Sequence, residues 1–236
     1  MEYHGRHFQS EVGLCMKLLA LETANEQCSV SIVDEDQTLY FQCDPRAKAQ
    51  TQTILPLIEQ GLQETQTKLT DLTAIAFSRG PGSFSGVRIN AAVTQALAWA
   101  NDLPVIPVST LQALAQAAYR ELGLREVTAV LDARMQEVYM ASYQLDDQNI
   151  MKAIDEEKML DYVQGATYQK FTIIGSGSAL IKADLESYPQ ITAHADDIAT
   201  IARALAKKQQ WLSAEMALPV YLRDNAWKKI ADQGKP

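Results

Sequence analysis

The sequence predicts an α/β protein of two lobes of like build, each opening on a strand and a hairpin and going on in alternating helices and strands. The first observation behind this is a pair of apolar runs that each close on an acid, Lys17–Glu22 (KLLALE) and Thr128–Asp132 (TAVLD), as strands buried on both faces do. The second is that each run is followed by the same succession of an alternating stretch, a polar turn and a third strand. The third is size. The chain has 236 residues, 47% of them apolar, enough for one large core or for two units of about 100 residues each.

The elements follow in order. Residues 1–15 (MEYHGRHFQSEVGLC) have no helical or strand periodicity and lack the apolar stretch of a secretory signal. They read as a leader, an upstream start or a cloning remnant, with Met16 directly before the first strand. After Lys17–Glu22, Cys28–Val33 alternates apolar and polar residues, and Asp34-Glu35-Asp36-Gln37 turns it into Thr38–Gln42. Ala47–Thr65 has helical spacing, with Pro56 expected to kink it or to mark its first turn. Leu72–Phe77 reads as a strand, Gly86–Ala100 as a helix, Val105–Val108 as a strand and Thr110–Leu122 as a helix. The second half repeats the opening with Thr128–Asp132, Glu137–Leu145 and Ile150–Ile154. A short helix at Glu156–Val163, a strand at Phe171–Ile174 and helices at Ala179–Leu185 and Asp196–Gln209 follow. The order βββαβα, twice, is that of the duplicated actin, sugar-kinase and Hsp70 (ASKHA) fold. It divides the chain into a leader 1–15, an N-terminal lobe 16–123, a C-terminal lobe 124–218 and a tail 219–236.

Composition narrows the function. Twenty-one basic residues against 29 acidic give a net charge of −8, which disfavours a protein that grips nucleic acid alone through clustered Lys and Arg. No apolar run reaches the length of roughly 18–20 residues that a membrane helix needs. Three cysteines, Cys15, Cys28 and Cys43, show no C-x-x-C and suit a reducing cytoplasm. Of three histidines, His4 and His7 fall in the leader, leaving His194 in a polar loop. Metal sites and a Ser-His-Asp arrangement therefore lack their usual ligands and base. The acids Asp196 and Asp197 after it read as caps of the last helix.

One glycine-rich turn dominates the chain: Ser78-Arg79-Gly80-Pro81-Gly82-Ser83-Phe84-Ser85-Gly86-Val87-Arg88. Glycines there let backbone approach an anion at a helix start. No lysine follows Gly86, so it is not a Walker loop. The G-x-G-x-x-x-G spacing is not the dinucleotide fingerprint, and Phe84 takes the serine's place in a nucleophile elbow. Tight packing and anion binding both remain open for Gly80, Gly82, Ser83, Gly86 and Arg88. ATP-using proteins of this fold hold magnesium and phosphate at the first hairpin. Here Glu22 and Thr23 open that hairpin without a glycine, and Glu26 adds negative charge. Gly175 and Gly177 stand where such proteins contact adenosine. Together these residues read as relic nucleotide or anion loops, compatible with weak ATP or ADP binding and not with efficient phosphoryl transfer.

The run Arg79–Arg88 resembles the R-G-P-G-S-F-T-G-V-R signature of the bacterial TsaB (YeaZ) family. So do Leu19–Ala24, Pro107–Leu111, Asp132-Ala133-Arg134 and Pro219–Arg223, and the resemblance spans Met16 to about Lys229. Ser85 replaces the usual Thr and Glu22 the usual Asp. The resemblance implies a non-catalytic partner, without cofactor or metal of its own, in making threonylcarbamoyl-adenosine beside the tRNA anticodon. A TsaC-type enzyme makes threonylcarbamoyl-AMP, a metal-containing TsaD-type paralogue transfers the group, and a TsaE-type ATPase supports turnover. It further implies pairing with the TsaD-type paralogue or with a second copy through helices of the first half, and contact with tRNA only within the complex. On those helices Ile54, Leu57, Ile58, Val93 and Leu97 are the candidate partner interface. The rival functions are a small-molecule kinase or ATPase of the same fold and, more remotely, a glycoprotease-like peptidase.

Overall fold

The computed structural model describes residues 16–181 and 185–222. The leader and residues 223–236 of the tail lie outside the described residues. The first sheet contains β1 (Leu18–Glu22), β2 (Cys28–Val33), β3 (Thr38–Asp44), β4 (Ala74–Ser78) and β5 (Val105–Val108). Its order is β3-β2-β1-β4-β5, with β1 antiparallel to β2 and parallel to β4. Successive side chains of a strand point to opposite faces. Leu18 and Ala20 of β1 and Ala74 and Ala76 of β4 therefore enter one core, while Leu19, Leu21, Ile75 and Phe77 enter another on the far side. Burial on both faces is what made these strands read as continuous apolar runs.

Three helices belong to this half: α1 (Gln50–Glu64), α2 (Phe84–Ala100) and α3 (Thr110–Leu122). Helix α1 begins three residues later than predicted and runs through Pro56, which stands on its exposed side, well beyond the first turn. Ser83 caps α2 and Ser109 caps α3, each accepting a backbone N–H three residues on. Gly123, with φ of 68°, ends α3 in the left-handed conformation.

The second sheet has β6 (Glu126–Arg134), β7 (Glu137–Leu145), β8 (Met151–Ala153), β9 (Lys158–Asp161), β10 (Ile173–Ile174) and β11 (Ser187–Tyr188). Its order is β11-β10-β6-β7-β8, with β9 also on β7. Antiparallel β6–β7 and parallel β6–β10 repeat the relation of β1 to β2 and β4. The duplicated fold is thus present in both halves, with the third strand of the second half split in two. β8 pairs with Tyr143–Leu145 and β9 with Glu137–Met140. In the break, Asp155 accepts the Ser142 N–H at 2.7 Å and the Lys170 ammonium at 2.8 Å.

The structure corrects two predicted elements. Glu156–Val163 is not a helix: its charges lead into β9, and α4 (Tyr162–Tyr168) starts only after Asp161, whose side chain caps the Gln164 N–H. Residues 179–181 form turns, not the start of a helix. Gly175 (φ +92°) bends the chain away from β10, and its N–H is bonded to Tyr188 O. Residues 182–184 of that predicted helix lie outside the described residues, and its last residue, Leu185, forms a bend.

Helices α3 and α5 (Ala195–Lys207) lie between the sheets and share one continuous core with both. The outer face of the first sheet is covered by α1 and α2 and that of the second by α4. After α5 the chain returns to the first sheet. Leu212 exchanges both backbone hydrogen bonds with Val105, and the Val220 N–H donates to Arg79 O at 2.8 Å.

Candidate functional site

The glycine loop, the first hairpin, the β6–β7 hairpin and the Gly175–Gly177 turn meet at the ends of the strands, between the lobes. Parallel β1 and β4 place Glu22 and Ser78 at neighbouring strand ends, and α2 passes over them. Glu22 is buried. Its Oε1 accepts the Ala24 N–H at 2.5 Å, while Oε2 has no hydrogen-bond partner among the described residues. Burial pushes its carboxyl up to about 7, against the weaker pull of the nearby Ser78 hydroxyl and the Ala24 and Asn25 amides. Asn90 of α2 reaches into the same place, donating through Nδ2 to Ser78 Oγ at 2.6 Å and to the Leu21 and Ser78 carbonyls at 3.1 Å. A carboxyl so enclosed and half-protonated near neutrality is a poor magnesium ligand. Asn90 and Ser78 escaped the sequence reading, although one asparagine in an alanine-rich helix was a signal.

The glycines are in close contact with the protein's own backbone. A Cβ on Gly82 would lie 2.5 Å from Ala24 O, and one on Gly86 would collide with Thr23 O. Hydrogen bonds seal this contact: Ser83 N–H to Ala24 O, and the Thr23 hydroxyl to Gly86 O, both at 2.7 Å. Gly80 takes φ of +99° and faces Val220 O. In the second half, a Cβ on Gly175 would strike Leu114 of α3, and one on Gly177 would come within 2.7 Å of Val130. Each of these four close approaches is thus made to the chain itself.

Across from the first hairpin, the turn after β6 holds Arg134, Met135 and Gln136 at φ between 54° and 63°, an uncommon run for side chains with Cβ atoms. Asp132 secures the turn, accepting the Arg134 N–H and guanidinium, both at 2.7 Å. The same guanidinium stands 3.9 Å from Glu26, so the two hairpins face each other as an exposed ion pair.

Other polar contacts join the halves. Arg79 donates to Glu157 at 3.0 Å. Gln116 donates to Asn149 O and accepts the Met151 N–H. The Asn25 amide donates to Ala193 O at 2.8 Å, and Ser29 Oγ accepts the Ala195 N–H. Among the described residues the His194 ring forms no ion pair with an acid. Its Nε2 lies 3.1 Å from Gln27 Oε1 and its ring packs beside Phe41. Its N–H donates to Asp197, which caps α5 as expected, while Asp196 accepts from Ser31. No group of three or more His, Cys, Asp or Glu able to hold a metal occurs among the described residues.

The α1–α2 face has a different composition from the one expected. Ile54 and Ile58 are buried in the lobe's own core, because α1 turns them toward the first sheet. Leu57, Val93 and Leu97 are half-buried against that core. The outward apolar groups are Leu55 on α1 (54% exposed) and Trp99 on α2 (67%). At the head of α2, Phe84 is 70% exposed, and the Arg88 guanidinium carbon lies 3.4 Å from its ring centroid. The same carbon is 4.9 Å from the ring of Tyr221, carried there by the returning chain.

Residues 45–230 match the family model described as TsaD, tRNA N6-adenosine threonylcarbamoyltransferase. The tRNA threonylcarbamoyladenosine biosynthesis protein TsaB of Escherichia coli is 38% identical over 232 residues, 91% of this chain and 98% of that protein. TsaB of Haemophilus influenzae is 43% identical over 126 residues, 53% of each chain. The solved structure of YeaZ from Pseudomonas aeruginosa superposes with a TM-score of 0.82 at 36% identity, over 88% of this chain and 100% of that one. In sequence over nearly its whole length, and in the arrangement of its two sheets, the chain belongs to the TsaB (YeaZ) family of tRNA threonylcarbamoyladenosine biosynthesis proteins.

Proposed function

We propose that this chain is a non-catalytic, cytoplasmic partner subunit that binds a metal-containing TsaD-type paralogue. In that complex it supports transfer of the threonylcarbamoyl group from threonylcarbamoyl-AMP to the tRNA adenosine next to the anticodon. The observation that carries the reading is the packing of Thr23 and Ala24 onto Gly86 and Gly82. Where a phosphate-binding relative would bring its glycines to a ligand, this chain brings them to its own first hairpin, and Glu22 is sealed beneath. The loops serve to hold a scaffold, and ATP or ADP binding in the cleft is at most weak.

The scaffold offers the outer face of α1 and α2, with Leu55, Leu57, Val93 and Trp99, as its docking surface. Exposed large apolar groups on neighbouring helices are what a partner interface requires. Self-pairing through the same face competes with the paralogue, and the TsaE-type ATPase joins the assembled pair. A net charge of −8 leaves tRNA binding to the complex.

The test is co-purification of the full chain with its host's tagged TsaD-type protein, light scattering for mass, and a tRNA modification assay with and without this chain. A one-to-one complex whose product disappears on omission is expected. Full modification without the chain, or no complex, overturns the proposal.

A further inference from the structure

We infer that Arg88 is the charged anchor of the partner face, holding a carboxylate of the TsaD-type partner against the Phe84–Tyr221 rings; this rests on the docking surface proposed for α1 and α2. Arg46, Arg79, Arg120 and Arg134 each meet a carboxylate of this chain. Arg88 meets none among the described residues, although the chain as a whole is acidic. Its Nη1 donates to Phe84 O at 2.6 Å, one turn back on its own helix. The ring contacts at 3.4 and 4.9 Å hold the guanidinium against Phe84 and beside Tyr221. The remaining N–H donors of the fork take no acceptor among the described residues, so the group is oriented before any partner arrives.

Orientation without a partner is the property a bidentate carboxylate contact needs. The flanking aromatics, Phe84 at 70% and Tyr221 at 52% exposed, can exclude water around the pair once the face is covered, which strengthens it. Ala92 and Ala96 continue the exposed side of α2 toward Trp99, and their small side chains let a facing element come close. A carboxylate fits better than a phosphate group for two reasons. A single guanidinium stands on a helix side, and the anionic chain repels multiply charged ligands.

The test compares wild type, Arg88→Met and Arg88→Lys for binding to the host's TsaD-type protein between about 50 and about 300 mM NaCl. Arg88→Met keeps the aliphatic stem and removes the fork; it is expected to weaken binding about tenfold at low salt and to flatten the salt dependence. Arg88→Lys keeps the charge, and because an ammonium cannot make the bidentate contact it is expected to weaken binding about threefold. Thermal melts of each variant control for folding, and should Arg88→Met fold poorly, the lysine variant carries the test. Replacing the partner's surface Asp and Glu residues singly by Asn or Gln should reveal one whose loss has no further effect on the Arg88→Met complex. Wild-type affinity in both Arg88 variants overturns the inference. Dissociation of the wild-type complex, but not the Arg88→Met complex, by inorganic phosphate or ADP overturns the carboxylate in favour of a phosphate. Failure of the wild type to bind at all overturns the docking surface and this anchor with it.

Discussion

Glu22 binds a proton in the folded chain that it releases in the unfolded one, and this makes the residue a source of pH-dependent stability. Its carboxyl stands near 7 when buried and at 4.5 in the reference state. A raised folded value contributes stability that is complete below 4.5 and lost as pH rises through 7. Glu22→Gln keeps the shape and removes the ionisation. We expect the variant to match the wild type near pH 4 and to be more stable near pH 8, by about 3 kcal/mol at most for a shift of this size. Urea unfolding of both proteins at a series of pH values reads the difference directly, and parallel curves would refute it. The residue's position at the end of the first strand was legible in the sequence. Its isolation from solvent was not, because burial there is imposed by Asn90 and Ser78, which arrive from two elements distant in the chain. The same holds for Tyr221, whose part beside Arg88 depends on the chain's return after α5.

Among the elements, the first-half strands and helices were readable because each carries an internal signal: apolar runs, serine caps or a glycine after the last turn. The end points of β2, β5, β7 and α3 agree with the periodicity. The second half was harder to read because its third strand is broken at Asp155 and its counterpart of α2 is replaced, in residues 175–181, by turns. Charged residues 156–158 mimic a helix start, whereas Lys158–Asp161 pairs with β7, a long-range partner no local pattern announces. The glycine loop was legible as a place of close approach, but the sequence could not tell whether a ligand or the first hairpin approaches. Gly86→Ala tests whether the hairpin contact is what requires a glycine. On helix propensity alone the change would stabilise α2 by about 1 kcal/mol. Because the new Cβ would collide with Thr23 O, which is backbone and cannot rotate away, we expect a net loss of about 2–3 kcal/mol. A melting temperature equal to or above that of the wild type would show that the hairpin yields.

At the scale of the whole molecule, the two lobes share a core through α3 and α5, and polar pairs join those helices. One joins the part-exposed Arg120 of α3 to the buried Asp197 of α5. Nε and Nη2 reach the two carboxylate oxygens at 2.9 and 3.1 Å, and the His194 N–H adds a third bond at 2.8 Å. Burial pushes the Asp197 carboxyl up even though Arg120 pulls it down, so the pair is held against the cost of desolvating the acid. Removing the cation alone leaves that cost uncompensated. We expect Arg120→Met to lower stability by about 2 kcal/mol, roughly 4–8 °C in melting temperature for a chain of this length. The loss should shrink as pH falls and Asp197 takes a proton, since a raised carboxyl is destabilising only where it is ionised. Adding Asp197→Asn to Arg120→Met should cost less than Asp197→Asn costs alone, leaving a coupling of about 1 kcal/mol or more. If the two changes add without coupling, the pair is not what aligns α3 with α5. The alignment would then rest on the apolar contacts of Leu114, Ala117, Ile198 and Ala202 in the shared core. With coupling, the ion pair helps align α3 with α5, the two helices that share a core with both sheets.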